Sequence, residues 1–257
     1  MSKLNPRQNE AVKYISGPLL VLAGAGSGKT SVITQKIAYL VERCGIESKH
    51  IAAVTFTNKA SREMKERVGQ ILQGKAKGLT VSTFHNLGMN IIRREHKRLG
   101  LKSGFSLFDD HDSKALIKDL LLHNDEDSDQ VDFVRNTISN WKNEMVGPEA
   151  AEAGAVGPQE ILAARAYDAY NSHLRAYNAV DFDDLIQVPV KLFDEHPDVQ
   201  ERWQNRIRYL LVDEYQDTNL SQYRMVRQLV GHRGALTVVG DDDQSIYAWR
   251  GARPENL

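Results

Sequence analysis

Across 257 residues, 41% hydrophobic side chains are enough to bury one large core or two modest ones and exclude a disordered chain. Lysine plus arginine number 33 against 34 aspartate plus glutamate, a net charge of -1, so no whole-chain basic field advertises nucleic acid and any such contact must be local. A single cysteine, Cys44, excludes an intrachain disulfide and a cysteine-built metal site; with a polar start and no apolar run near the roughly 20 residues that span a bilayer, the expectation is a soluble, cytoplasmic protein.

Leu4-Asn-Pro-Arg-Gln-Asn-Glu-Ala-Val12 reads as a short helix entered through Asn5, with Pro6 in its first turn. Gln8 there carries donors and an acceptor that suit an adenine edge, although a lone glutamine is more often a surface residue. Next comes the apolar run Pro18-Leu-Leu-Val-Leu-Ala23, then Ala23-Gly-Ala-Gly-Ser-Gly-Lys-Thr30, then the helical pattern Ser31 to Leu40. Strand, glycine loop and helix in that order converge backbone N–H groups of Ala25, Gly26, Ser27 and Gly28 on a phosphate chain at the positive end of a helix. Lys29 then reaches the β- and γ-phosphates and Thr30 holds Mg2+. The usual pattern opens with glycine where this chain has Ala23.

Ile51-Ala-Ala-Val-Thr-Phe56 has the character of a second strand, and Ala60, Met64, Val68, Ile71 and Leu72 recur at helical spacing after it. The polar turn Thr57-Asn58-Lys59 between them leaves the carboxyl end of the strand, where open α/β sheets bind ligands, and also suits a plain helix cap. Leu79 to His85 reads as a third strand ending in Thr83, Phe84 and His85, followed by a helix from about Leu87 to Leu99. Arg93, Arg94, Lys97 and Arg98 form its basic face.

From roughly Gly100 strand-like runs cease until about Arg208. Ser113 to Leu122, Val131 to Lys142, Glu160 to Ala176 and Asp183 to Phe193 carry helical spacing, while His123 to Gln130 and Gly147 to Gln159 read as loops. This predicts an all-helical subdomain inserted into an α/β domain. The sheet resumes at Tyr209-Leu-Leu-Val-Asp-Glu214, whose two carboxylates suit Mg2+ binding through water at Asp213 and activation of the attacking water at Glu214. A last strand, Leu236-Thr-Val-Val-Gly240, leads to Asp241-Asp-Asp-Gln-Ser-Ile-Tyr-Ala-Trp-Arg-Gly251. Gln244 is spaced to sense a γ-phosphate. Tyr247 and Trp249 offer faces on which bases stack, or serve as core aromatics.

Taken together these stretches resemble the superfamily 1A DNA helicases of the UvrD/Rep type. The resemblance spans the chain and rests on Leu4 to Gln8, Ala23 to Thr30, Ala53-Val-Thr-Phe-Thr-Asn-Lys-Ala60, Ser82-Thr-Phe-His85, Asp181-Phe-Asp-Asp-Leu185, Val212-Asp-Glu-Tyr-Gln-Asp-Thr-Asn219 and Val239 to Arg250, in the family's order. It implies a RecA-like parallel α/β domain, 1A, over residues 1–86 and 197–257, with a helical insertion, 1B, over 87–196. It implies that Gln8 reads adenine, that Lys29 and Thr30 hold phosphate and Mg2+, that Asp213 and Glu214 serve as metal carboxylate and catalytic base, and that Gln244 is the γ-phosphate sensor. By the same resemblance Phe56, Thr57, Asn58, Thr83, His85, Phe182, Tyr247 and Trp249 line a single-strand path and Arg250 couples ATP to DNA. Ser31 departs from an arginine common in relatives.

The implied activity is ATP-dependent 3′-to-5′ translocation on single-stranded DNA and unwinding at junctions, in replication restart or repair, with protein partners of those processes. Relatives continue past the point matching Leu257 into a second RecA-like domain with arginines that complete the ATP site. The expectation for these 257 residues is a monomer that binds Mg-ATP with little turnover and does not unwind. A helicase-nuclease subunit and a non-catalytic fragment that binds DNA or a partner are the alternatives; a small-molecule kinase has the glycine loop but no need of Tyr247 and Trp249.

Overall fold

A computed structural model describes residues 4–24, 26, 28–124 and 126–241. It divides into two compact units, one of residues up to Leu87 with Leu192–Thr218 and Gln222 onward, the other of Gly88–Lys191 with Asn219–Ser221. No helix among the described residues is long and apolar enough to cross a membrane.

In the first unit Asn5 and Gln8 open helix α1 (Pro6–Lys13) reciprocally. Asn5 Oδ1 accepts from the Gln8 N–H at 2.8 Å and Gln8 Oε1 accepts from the Asn5 N–H at 2.9 Å, which satisfies two donors that the helix leaves open. Strand β1 (Leu19–Leu22) runs into the glycine loop and α2 (Lys29–Glu42). Then come β2 (Ile51–Thr55), α3 (Asn58–Leu72) and β3 (Thr80–Thr83). Helix α4 (Phe84–Glu95) starts at once. The Thr83 hydroxyl accepts from the Asn86 N–H at 3.1 Å and so caps α4, which places Phe84 and His85 in its first turn rather than in the strand. The helix also ends before Leu99, the expected boundary.

In the second unit β4 (Ser106–Phe108) precedes α5 (Asp110–His123), which Asp109 and Asp112 cap reciprocally. After it come α6 (Val131–Asn143), α7 (Pro148–Gly154), α8 (Gly157–Ala176), β5 (Ala179–Asp181) and α9 (Asp184–Glu195). Two features depart from the sequence expectation. The stretch 147–159 is not loop throughout, since Pro148 opens α7 in the position where a missing N–H is harmless. The insertion is not purely helical either: β4 and β5 pair in parallel through Ser106↔Ala179, Leu107↔Val180 and Phe108↔Asp181. Three-residue strands are too short to show alternation. One core gathers Ile117, Val134, Ile138, Tyr167 and Tyr170 of α5, α6 and α8. Another gathers Ile92, Val180 and Leu185. At Gly88 a Cβ would lie 1.7 Å from the Leu185 carbonyl oxygen, so only glycine permits this approach of α4 to α9.

The chain then forms α10 (Pro197–Arg206), β6 (Tyr209–Val212), α11 (Leu220–Val230) and β7 (Leu236–Gly240). The five long strands make one parallel sheet in the order β1-β7-β6-β2-β3. Every residue of β2 and β6 is buried, as strands of a parallel sheet covered on both faces require. Ile33 and Ile37 of α2 and Met64 and Val68 of α3 pack with Leu211 and Val239 of the sheet. Parallel pairing sends every strand end to the same edge, so this RecA-like sheet delivers the sequence's polar motifs together.

Candidate functional site

At the carboxyl edge β1 opens into the glycine loop, and Gly26 and Gly28 stand at φ 76° and 78°, a left-handed backbone that other residues adopt at a cost. Gly28 is the N-cap of α2 and supplies no side-chain cap bond. The first turn of α2 thus receives no cap from the N-cap side chain, at the end of the helix where the dipole favours an anion. A Cβ at Gly28 would also stand 3.1 Å from Gln8 Nε2, so this glycine admits the Gln8 amide beside the loop.

Two strands away, Asp213 follows β6 and donates its N–H to the Val54 carbonyl at 3.0 Å, continuing the ladder to β2. Its Oδ1 accepts from the Glu214 N–H at 2.9 Å. Burial pushes the Asp213 carboxyl up to about 6, helped by the Glu214 charge and opposed by the Glu214 N–H and the Lys29 ammonium. Lys29 Nζ lies 3.8 Å from Asp241 Oδ2, beyond hydrogen-bond length. Glu214 adopts φ 50°, uncommon for a residue with a side chain. Its Oε2 accepts from Gln216 Nε2 at 2.6 Å, while Gln216 Oε1 accepts from the Asp241 N–H at 2.9 Å. One buried amide thus ties the acid after β6 to the residue that leaves β7.

The sheet brings together Lys29, Asp213, Glu214 and, through the loop, Gln8 and Gly28; Thr30 stands in the first turn of α2. Ala25, Ser27, Gln244, Tyr247, Trp249 and Arg250 lie outside the described residues. Sequence reasoning passes over Gln216 and Asp241. The only local hint is a glutamine two residues beyond an acid pair and an acid directly after a strand.

Residues 4–257 match the UvrD/REP helicase N-terminal domain. This chain belongs to that family. It is 60% identical over 99% of its length to the ATP-dependent DNA helicase Rep of Salmonella typhimurium and 59% identical over 99% to that of Escherichia coli. It is 44% identical over its whole length to the ATP-dependent DNA helicase PcrA of Staphylococcus aureus. The chain spans 38% of the length of either Rep protein and 36% of PcrA.

In this UvrD/REP domain the other candidates leave the remaining strands of the same edge. Phe56 follows β2, its ring 5.3 Å from that of buried Phe84 and tilted by 59°. The Thr57 hydroxyl accepts from the Ala60 N–H at 3.1 Å and caps α3, so the capping alternative holds for it. Asn86 Nδ2 donates to Asn58 Oδ1 at 3.4 Å, which joins the ends of β2 and β3. Thr83 is buried as the cap of α4, and His85 is partly exposed.

Phe182 belongs to the second unit. Asp181 Oδ1 accepts from the Asp184 N–H at 2.8 Å and Asp184 Oδ2 accepts from the Asp181 N–H at 3.0 Å, a reciprocal turn that leaves Phe182 46% exposed. Below it the fully buried Lys142 donates to Asp181 Oδ2 at 2.8 Å and Asp184 Oδ1 at 2.9 Å. Tyr170 donates its hydroxyl to the same Asp181 oxygen at 2.8 Å. Burial alone would lower the Lys142 ammonium, yet Asp181 and Asp184 hold it well above the ordinary lysine value. This aspartate-rich turn is a closed ionic structure with an aromatic ring on its outer side.

Proposed function

We propose that this chain is the first RecA-like motor domain, 1A, with its 1B insertion, of an ATP-dependent DNA helicase that moves 3′ to 5′ along single-stranded DNA and opens junctions in replication restart or repair. The observation that carries the reading is the group formed by Lys29, Asp213, Glu214 and Asp241 beside an uncapped helix N-terminus. Family membership and the relatives' description as ATP-dependent DNA helicases support it.

The residues present fit Mg-ATP. The first-turn N–H groups of α2 suit phosphate oxygens, and the absent Cβ of Gly28 leaves room against Gln8. A carboxyl pushed up to about 6 by burial is one whose charged form a divalent cation stabilises. Bound Mg-ATP supplies the phosphoryl group and the charge neutralisation for its transfer to water.

In this reading Lys29 holds the terminal phosphates, Thr30 and Asp213 hold the metal ion, and Gln8 reads adenine. Glu214 orients the attacking water and takes its proton. Gln216 holds the Glu214 carboxylate in place through its amide. Phe56, Thr57, Asn58, Thr83, His85 and, on the second unit, Phe182 receive single-stranded DNA, with Phe182 offering a ring for a base to stack on. Gln244, Tyr247, Trp249 and Arg250 complete the reading on sequence grounds.

Calorimetric titration of a non-hydrolysable ATP analogue with Mg2+ tests this, with and without oligo-dT and with Lys29→Ala as control. The expected result is binding that depends on Lys29, together with retention of oligo-dT by the protein. Binding that ignores Lys29, or no binding, overturns the nucleotide assignment.

A further inference from the structure

Lys36 lies on α2, about two turns beyond the glycine loop, and its side chain is fully buried. A buried ammonium is tolerated only where its donors are engaged. Lys36 Nζ donates to the Ala11 carbonyl at 3.0 Å and to the Tyr14 carbonyl at 2.6 Å. Tyr14 is the C-cap of α1 and Ala11 belongs to its last turn, so a cation on one helix closes the C-terminus of another, where the orphan carbonyls and the dipole favour it. The Tyr209 ring lies 5.6 Å from the ammonium, and its hydroxyl shares a hydrogen bond with the Thr237 hydroxyl. Cys44, just past α2, is the titratable group that acts on it through charge.

Helix α1 has eight residues, too few to hold its shape or place without tertiary contacts. Its contacts with α2 include the Lys36 bonds at one end and, at the other, the Gln8 amide against Gly28; Val12 is its buried apolar residue. Gln8 Oε1 accepts from the Asn5 N–H, which turns the amide nitrogen toward the loop. An adenine edge offers an N6 amino donor beside the N7 acceptor, whereas guanine offers two acceptors. The Gln8 nitrogen can donate to N7 of either base, so only its oxygen, through the lone pair not taken by the Asn5 N–H, separates them by accepting from adenine N6, and only if its height above the loop is correct. Three residues, about 4.5 Å of helix rise, separate Gln8 from Ala11, so the Lys36 bonds fix the turn next to the one that carries Gln8.

We propose that Lys36 is a positioning residue for nucleobase recognition: by closing the C-terminus of α1 on α2 it sets Gln8 at the glycine loop, and its loss removes base selectivity while leaving the hold on phosphate. The proposal rests on the reading of Gln8 as the adenine-binding side chain.

The test compares Mg2+ with a non-hydrolysable ATP analogue and with the matching GTP analogue, each titrated calorimetrically into the chain. Gln8→Ala defines the affinity ratio without base reading. Lys36→Met is expected to bring the ATP-to-GTP preference down to that of Gln8→Ala, with affinity for the GTP analogue kept within about twofold. Lys36→Arg, which keeps charged donors, is expected to restore most of the preference. Val12→Ala loosens α1 without touching the ammonium, so a smaller fall in the same ratio is expected even if Lys36→Met does not fold. An unchanged ratio in Lys36→Met, or in Val12→Ala when Lys36→Met is unfolded, overturns the proposal. So does an equal loss for both analogues, which marks a general loosening of the pocket. A wild-type chain without base preference overturns the Gln8 reading and this inference with it, whereas selectivity that depends on Gln8 but not on Lys36 overturns this inference alone.

Discussion

Each unit sets a lysine among carboxylates, and the two sets differ in closure. Lys142 in the second unit has bonds of 2.8 and 2.9 Å to Asp181 and Asp184, with Tyr170 on the same Asp181 oxygen. Lys29 in the first unit stands 3.8 Å from Asp241 and within charge range of an Asp213 carboxyl pushed up to about 6. The first arrangement has paired its charges inside protein and fixes a turn. The second holds charges close without short bonds between them, beside an open helix N-terminus, and suits a polar ligand. Lysine beside aspartate is thus no index of function until the distances are known.

The sharpest break of this comparison is to remove each cation. Lys142→Met leaves Asp181 and Asp184 buried without their partner and is expected to cost about 3 to 5 kcal/mol in urea unfolding. Lys29→Met is expected to cost about 1 kcal/mol, because no hydrogen bond is lost at 3.8 Å, while ATP-analogue binding falls below detection. Equal losses of stability would erase the distinction.

A smaller loss of stability than at Lys142 is expected at Gln216, the one tight connection within the looser set. Gln216→Ala strips the Asp241 N–H and the Glu214 carboxylate of their amide partner and should cost about 1 to 3 kcal/mol. Affinity for the ATP analogue should stay near that of the wild type, since Gln216 is bonded to the acid and not to the loop. A large loss of affinity in calorimetry would instead make it part of the binding surface.

The smallest effect concerns Lys36, whose donors are engaged by backbone alone in the bonds described. Burial lowers its ammonium to about 8 from an ordinary 10.5. The unfolded chain therefore holds that proton between pH 8 and 10.5 while the folded chain has released it. The cost of charging Lys36 is present in full below pH 8 and is relieved as pH rises through that window. Wild-type stability relative to Lys36→Met should rise from pH 8 to 10, read from paired urea midpoints. A flat difference would mean that Lys36 titrates at its ordinary value in the fold.

Much of this architecture is legible in the chain because its signals are local. Apolar runs mark β2 and β6, glycine spacing marks the turn before α2, Asn5 and Pro6 mark the start of α1, and the order of motifs points to a RecA-like sheet. Weaker local signals misplace boundaries: Phe84 and His85 enter α4 because the Thr83 hydroxyl finds the Asn86 N–H, and β4 and β5 need each other to exist.

What the sequence by itself determined was which residue types stand at each strand end and in what order. Only the tertiary structure decided which of them meet. Gln216 and Asp241 are 25 positions apart, Lys36 and Ala11 also 25, and Lys142 and Asp181 39. No spacing rule reaches that far. The order β1-β7-β6-β2-β3 makes neighbours of strands distant in the chain, and burial then requires each polar group carried inward to find its partner there.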